Sequence, residues 1–160
     1  ALGPGIARLL GLRALLGLRS PMNTVARLLD PFDARAGVDG VFHPPYIGLH
    51  LAAAERLGRR RLLVVKGGGG EAERSPLKPQ VAHLWDRAAG RTEMALPATL
   101  PGGSAAAEDP EAVWHGRAEG GAGHATVLAT IALGLLALGA AASPAEADSQ
   151  ARAVWQARRG

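Results

Sequence analysis

The run Leu62-Leu63-Val64-Val65 constrains the fold more than any other stretch, because it is apolar at every position and is followed at once by Lys66 and four glycines. A strand without a polar face belongs in a sheet covered on both sides, and this one reads as a strand of a parallel sheet. Ahead of it, residues 38–42 have a short strand pattern. Pro44-Pro45 then open a helix that carries Ile47, Leu51 and Ala54 on one face and ends at Leu57-Gly58. A strand, a helix of about a dozen residues and a second strand make a βαβ unit.

Pro4 opens an amphipathic helix with Ile6, Leu9, Leu10 and Arg13 at helical spacing up to Gly17. Ser20-Pro21 is a second helix start, leading into Val25, Leu28 and Leu29 and stopped before Pro31. Residues 81–85 and 92–96 form a hairpin around Ala88-Ala89-Gly90. Residues 97–107 are a loop, Asp109-Pro110-Glu111 cap a brief helix holding Trp114, and residues 125–142 form a long buried helix. Ser143-Pro144-Ala145-Glu146 is a capping box that starts a last helix toward Arg158. No internal repeat is present.

A chain of 160 residues with 48% hydrophobic and 20% charged residues folds around one core, as one domain or part of a larger protein, and is not of the disordered class. The absence of cysteine excludes disulfides and thiolate metal sites and fits a reducing compartment. With 4% aromatic residues the core rests on Leu, Ala and Val, and the surface offers few stacking platforms, which disfavours an aromatic nucleic-acid module. The net charge of +4, carried by arginine, makes anionic partners plausible. Arg8, Arg13, Arg19 and Arg27 precede the first acidic residue, Asp30, which is the composition of a mitochondrial presequence; that reading ranks below the opening helix. Residues 125–142 lack charge, but they are short, Ala- and Gly-rich and without aromatic or basic anchors, so a buried helix in a soluble, cytoplasmic protein is expected and no membrane partner.

Chemistry concentrates at Lys66-Gly67-Gly68-Gly69-Gly70-Glu71-Ala72-Glu73. A glycine loop at the carboxyl end of a parallel strand lets the backbone approach an anion where α/β sheets place their ligands. It matches neither the P-loop nor the dinucleotide pattern, and the same four glycines also read as a plain flexible turn. Glu71 and Glu73 beside a diphosphate-sized pocket suit Mg²⁺, which takes one or two carboxylates; the other reading is a solvated acidic loop. Arg59-Arg60-Arg61 reads either as a phosphate grip or as a solvated helix end favouring the macrodipole. His43, His50, His83, His115 and His124 have no metal-ligand spacing, and no nucleophile elbow or triad pattern appears.

Leu16-Gly17-Leu18-Arg19-Ser20 followed by Asn23, Leu28 and Pro31 resembles the signature of the anthranilate phosphoribosyltransferases and their relatives in glycosyltransferase family 3. The stretch Val64-Val65-Lys66-Gly67 to Glu71-Ala72-Glu73 resembles the family's Val-Val-His-Gly loop with its Asp-Glu pair, and the closing helices with Trp155 and Arg158 also agree. The resemblance implies the C-terminal α/β domain of the nucleoside phosphorylase/phosphoribosyltransferase type: a mostly parallel sheet flanked by helices, with residues 1–160 as a single domain. The family's helical first half and its Gly-Thr-Gly-Gly-Asp donor loop have no counterpart here, so the chain resembles the C-terminal half of a longer protein, and its opening helix is expected to pack on the absent half or on a second subunit of a homodimer.

The activity implied is transfer of a phosphoribosyl group from phosphoribosyl diphosphate to an aromatic amine or base with Mg²⁺. Arg19, Asn23, Gly67, Gly68, Gly69 and Gly70 would bind substrate, Arg19 facing the acceptor's carboxylate, and Glu73 and Glu71 would hold the metal. Ala72 stands where the family carries Asp, and Ser20 where it carries Thr. Gly70-Glu71-Ala72-Glu73-Arg74-Ser75-Pro76 is closer to a DNA-binding branch of anthranilate phosphoribosyltransferase-like proteins. The alternative function is therefore a catalytically degenerate member that binds single- or double-stranded nucleic acid non-specifically through Arg59, Arg60 and Arg61.

Overall fold

The computed structural model describes residues 4–17, 25–103 and 108–158. The chain divides into two compact units, Ala1–Ala34 and Arg35–Gly160. In the first, helix α1 spans Pro4–Leu16, opened by proline in its first turn as the sequence predicts, and a short 3-10 turn spans Ala26–Leu28. The helix start expected at Ser20-Pro21 lies outside the described residues.

The second unit runs β1 (Gly37–Val41), α2 (Pro45–Arg56), β2 (Arg61–Lys66), β3 (Gln80–Asp86), β4 (Gly90–Leu96), α3 (Pro110–Trp114), α4 (Ala122–Leu138) and α5 (Pro144–Ala157). The sheet order is β1-β2-β3-β4, with β1 and β2 parallel, Val38 opposite Leu63 and Gly40 opposite Val65. The βαβ unit is therefore present where the sequence places it. The expectation of a mostly parallel sheet is corrected: β2 with β3 and β3 with β4 are antiparallel. The reason is the connection. A parallel return needs a crossover, usually a helix, and residues 67–79 contain none; β4 then follows by a hairpin. That hairpin closes over Asp86, whose Oδ1 accepts the Ala88 amide at 2.8 Å, and Gly90, whose φ of +81° only glycine adopts readily.

The apolar β2 strand explains the layering. Its side chains alternate between faces: Leu62 and Val64 pack with Val41, Leu51 and Ala54 under α2, while Leu63 and Val65 pack with Ala132, Leu133, Leu136, Ala147 and Ala151 of α4 and α5. All four residues are fully buried, each worth about 1.5–3 kcal/mol relative to exposure. Alanines at 132, 137, 147 and 151 let α4 and α5 approach closely. Helix α4 starts three residues earlier and stops four earlier than the apolar run suggests, because Gly139 takes the left-handed conformation at φ +70° and ends it. Among the described residues, no helix is long and apolar enough to cross a membrane.

Candidate functional site

Residues 67–79 leave β2 at its carboxyl end and fold back over the ends of β1 and β2. The return is tight enough to dictate two glycines. A Cβ on Gly40, in β1, would lie 1.9 Å from the Glu71 carbonyl oxygen, and one on Gly67 would lie 2.3 Å from it. Gly67 also donates its amide to the Val41 carbonyl at 3.0 Å, extending the parallel ladder by one bond.

The loop is pinned along its length. Gln80 accepts the Ser75 amide at 2.8 Å and donates to the Lys66 carbonyl at 2.9 Å, so one side chain closes both ends. Between them Arg74 is fully buried: Nη1 meets Asp148 Oδ1 at 2.6 Å, while Nη2 donates to the Pro97 carbonyl at 2.8 Å and reaches Asp148 Oδ2 at 3.3 Å. Its own amide donates to Thr130 Oγ1 at 3.3 Å. A buried guanidinium held by a carboxylate from α5 and a backbone carbonyl fixes the loop to the helical layer.

Within this frame the glycines hold an anion of the chain's own. The Glu71 carboxylate accepts the Gly68 amide at 2.5 Å and the Gly69 amide at 2.6 Å, one on each oxygen. Backbone amides donating to the carboxylate, those of Glu71 itself and of Gly69 foremost and then Gly68, together with the charge of Lys66, hold its pKa below the ordinary value. Successive amides turned toward one point form an anion-binding concavity. The loop borders a cleft of about 610 Å³ that Glu71 and Glu73 share with Lys66, Lys78, Ser75 and His83. Lys66 sits 5.7 Å from the Phe42 ring at the rim, and Phe42 is edge-on to His43 at 4.6 Å.

The structure thus brings Gly68, Glu71 and Glu73 to one cleft beside Gly67, Gly69 and Gly70. Arg19 and Asn23 lie outside the described residues. The Arg59-Arg60-Arg61 triplet sits elsewhere, at the opposite end of β2. There Arg61 pairs with Asp86 and donates Nε to the Ala137 carbonyl at 2.7 Å, a cation on the carboxyl end of α4. Arg60 and Arg61 border a separate pocket of about 580 Å³ with Arg35 and Arg87. Among the histidines, His50 is buried against Asp39 at 2.8 Å, and His83 faces Glu93 across the hairpin at 3.0 Å. Among the described residues no group of three or more His, Cys, Asp or Glu side chains is placed to hold a metal ion.

Sequence reasoning missed Gly40, Arg74 and Gln80. Glycine inside a strand pattern signals close backbone approach and could have marked the first. Arg74 and Gln80 look like ordinary loop residues, and nothing local betrays them.

No family model matches the chain. A stretch of 76 residues is 37% identical to an uncharacterized protein of Aquifex aeolicus, covering 48% of this chain and 25% of that protein. A stretch of 70 residues is 38% identical to the anthranilate phosphoribosyltransferase of Burkholderia thailandensis, covering 44% of this chain and 20% of that one. The corresponding protein of Polynucleobacter necessarius is 36% identical over 67 residues. The fold is similar to the crystal structure of anthranilate phosphoribosyltransferase from Thermus thermophilus, with a TM-score of 0.68 and 26% identity over 95% of this chain. The chain spans about half of that structure, 48%, and the matched stretches span a fifth to a quarter of the curated relatives.

Proposed function

We propose that the chain is the α/β part of a phosphoribosyltransferase of the anthranilate type, cytoplasmic and homodimeric when whole, and that its glycine loop receives the diphosphate of phosphoribosyl diphosphate. The observation that carries this reading is the Glu71 carboxylate held by the Gly68 and Gly69 amides in a cleft lined by two lysines: the loop already binds an anion. The named relatives supply the reaction class. In it the bond from the sugar's anomeric carbon to the diphosphate oxygen breaks, an acceptor amine bonds that carbon, and the amine's proton departs. Amides and ammonium groups aimed at the diphosphate stabilise the charge that develops as it leaves.

Mg²⁺ takes one or two carboxylates and completes its shell with water and phosphate oxygens, so the absence of a larger ligand cluster among the described residues does not disqualify the site. Exposed Glu73 meets the requirement, and Glu71 joins it only after leaving the amides. When bound, the ion would add positive charge to the departing diphosphate. Lys66 and Lys78 attract the donor, the Gly68 and Gly69 amides orient its oxygens, and the Arg74–Asp148 pair keeps the loop in place. The resemblance alone assigns Arg19 and Asn23 to substrate binding, Arg19 to the acceptor's carboxylate.

The test is a calorimetric titration of phosphoribosyl diphosphate with and without Mg²⁺. Glu73→Gln is expected to remove the metal-dependent gain in affinity and to leave metal-free binding intact; equal Mg²⁺ enhancement in both proteins would remove Glu73 from the site. A second reading, non-specific nucleic-acid binding, draws on the pocket bordered by Arg35, Arg60, Arg61 and Arg87. It requires affinity for a labelled oligonucleotide that falls steeply with salt and drops in Arg60→Ala/Arg87→Ala.

A further inference from the structure

Helices α4 and α5 enclose, at the end that holds His124 and Trp155, a pocket of about 370 Å³, within the size range of small-molecule sites. It shares no residue with the glycine-loop cleft, and the inference drawn from it does not rest on the phosphoribosyltransferase reading. Trp155 is 7% exposed, and its indole Nε1 meets no hydrogen-bond partner among the described residues. The same holds for His124 Nε2. The Gly120 amide donates to His124 Nδ1 at 3.1 Å, so that nitrogen carries no proton and the neutral ring holds its proton on Nε2. Both unpartnered atoms are therefore donors, on rings whose centroids are 5.9 Å apart.

Native structures seldom leave buried donors unmet, because each forgoes its water without a replacement. Trp155 is not free to turn toward another acceptor. The Arg158 guanidinium lies 3.3 Å over its ring, the Trp114 ring meets it edge-on at 5.8 Å, and Arg158 is itself tied to the Trp114 carbonyl at 2.8 Å. Arg152 also borders the pocket, against one acidic residue, Glu119. Two fixed N–H groups, an aromatic wall and an excess of positive charge match an acceptor with two oxygens and one negative charge. We infer that this pocket binds a small carboxylate, its oxygens accepting from Trp155 Nε1–H and His124 Nε2–H with Arg152 balancing the charge.

Sodium acetate, titrated into the 160-residue chain against sodium chloride at equal ionic strength and followed by calorimetry, tests this. Saturable acetate binding is expected, weakened about tenfold or more in Trp155→Phe and in His124→Phe, each of which keeps a ring and deletes one donor. If thermal melts show that one variant does not fold, the other decides. Acetate indistinguishable from chloride, equal affinity in the variants, or binding of inorganic phosphate alone would each overturn the assignment; in the first case a single bridging water is the occupant.

Discussion

At position 40 a single methyl group decides whether the loop can close. The Glu71 carbonyl occupies the space a side chain would need, so Gly40→Ala is expected to cost about 1–3 kcal/mol in a urea melt. Gly48, on α2 with nothing within 4 Å of its Cβ position, is the control that should tolerate alanine. Arg74→Met strands Asp148 and breaks the loop's anchor, at an expected cost on the order of 3–5 kcal/mol, whereas Arg91→Met, which removes an exposed pair with Glu55, should cost about 0–1 kcal/mol. Glu71 supplies a pH signature. Its folded-state pKa is lowered, so the stability it contributes is present above the unfolded value and is lost as pH falls through the folded one. Wild type should therefore exceed Glu71→Gln in melting temperature at neutral pH, and the gap should close below about pH 4. At this scale the sequence displayed the glycine run and the paired glutamates. It concealed Arg74, because an arginine followed by Ser-Pro looks solvated until its partner, 74 positions away, is known.

Most elements were legible because each carried its own punctuation: proline at the first turn of α1, α2, α3 and α5, left-handed glycine after α2 and α4, and an apolar run for β2. Of the capping box expected before α5, the Ser143 half formed, its Oγ accepting the Glu146 amide at 3.2 Å, whereas the Glu146 carboxylate reaches past the cap and accepts the Ala142 amide at 2.8 Å. Ser143→Ala is expected to cost about 0.5–2 kcal/mol in a thermal melt. What periodicity left unread was strand direction. That depends on the path of the connection, and the resemblance suggested a parallel majority that the helix-free stretch 67–79 and the hairpin do not provide. The arginine triplet shows the same limit: Arg61 holds the end of α4, so replacing it perturbs the fold before it perturbs any ligand.

For the whole molecule, both clusters of buried core residues draw only on residues after Arg35, which makes Arg35–Gly160 a unit with its own interior. A chain begun at Arg35 is expected to retain a cooperative melt; loss of cooperativity would show that the first unit is required. The similarity to a solved anthranilate phosphoribosyltransferase extends over nearly all of this chain but only about half of that one, and the anion-binding loop proposed above lies wholly within Arg35–Gly160. The most direct measurement is a metal-free calorimetric titration of inorganic diphosphate into wild type, Glu71→Gln and Lys66→Ala/Lys78→Ala. If the Glu71 carboxylate occupies the anion's place, diphosphate should bind more tightly once that charge is removed and more weakly once the lysines are. Diphosphate that binds none of the three, or binds wild type and Glu71→Gln alike, would show that the Glu71 carboxylate does not occupy an anion site.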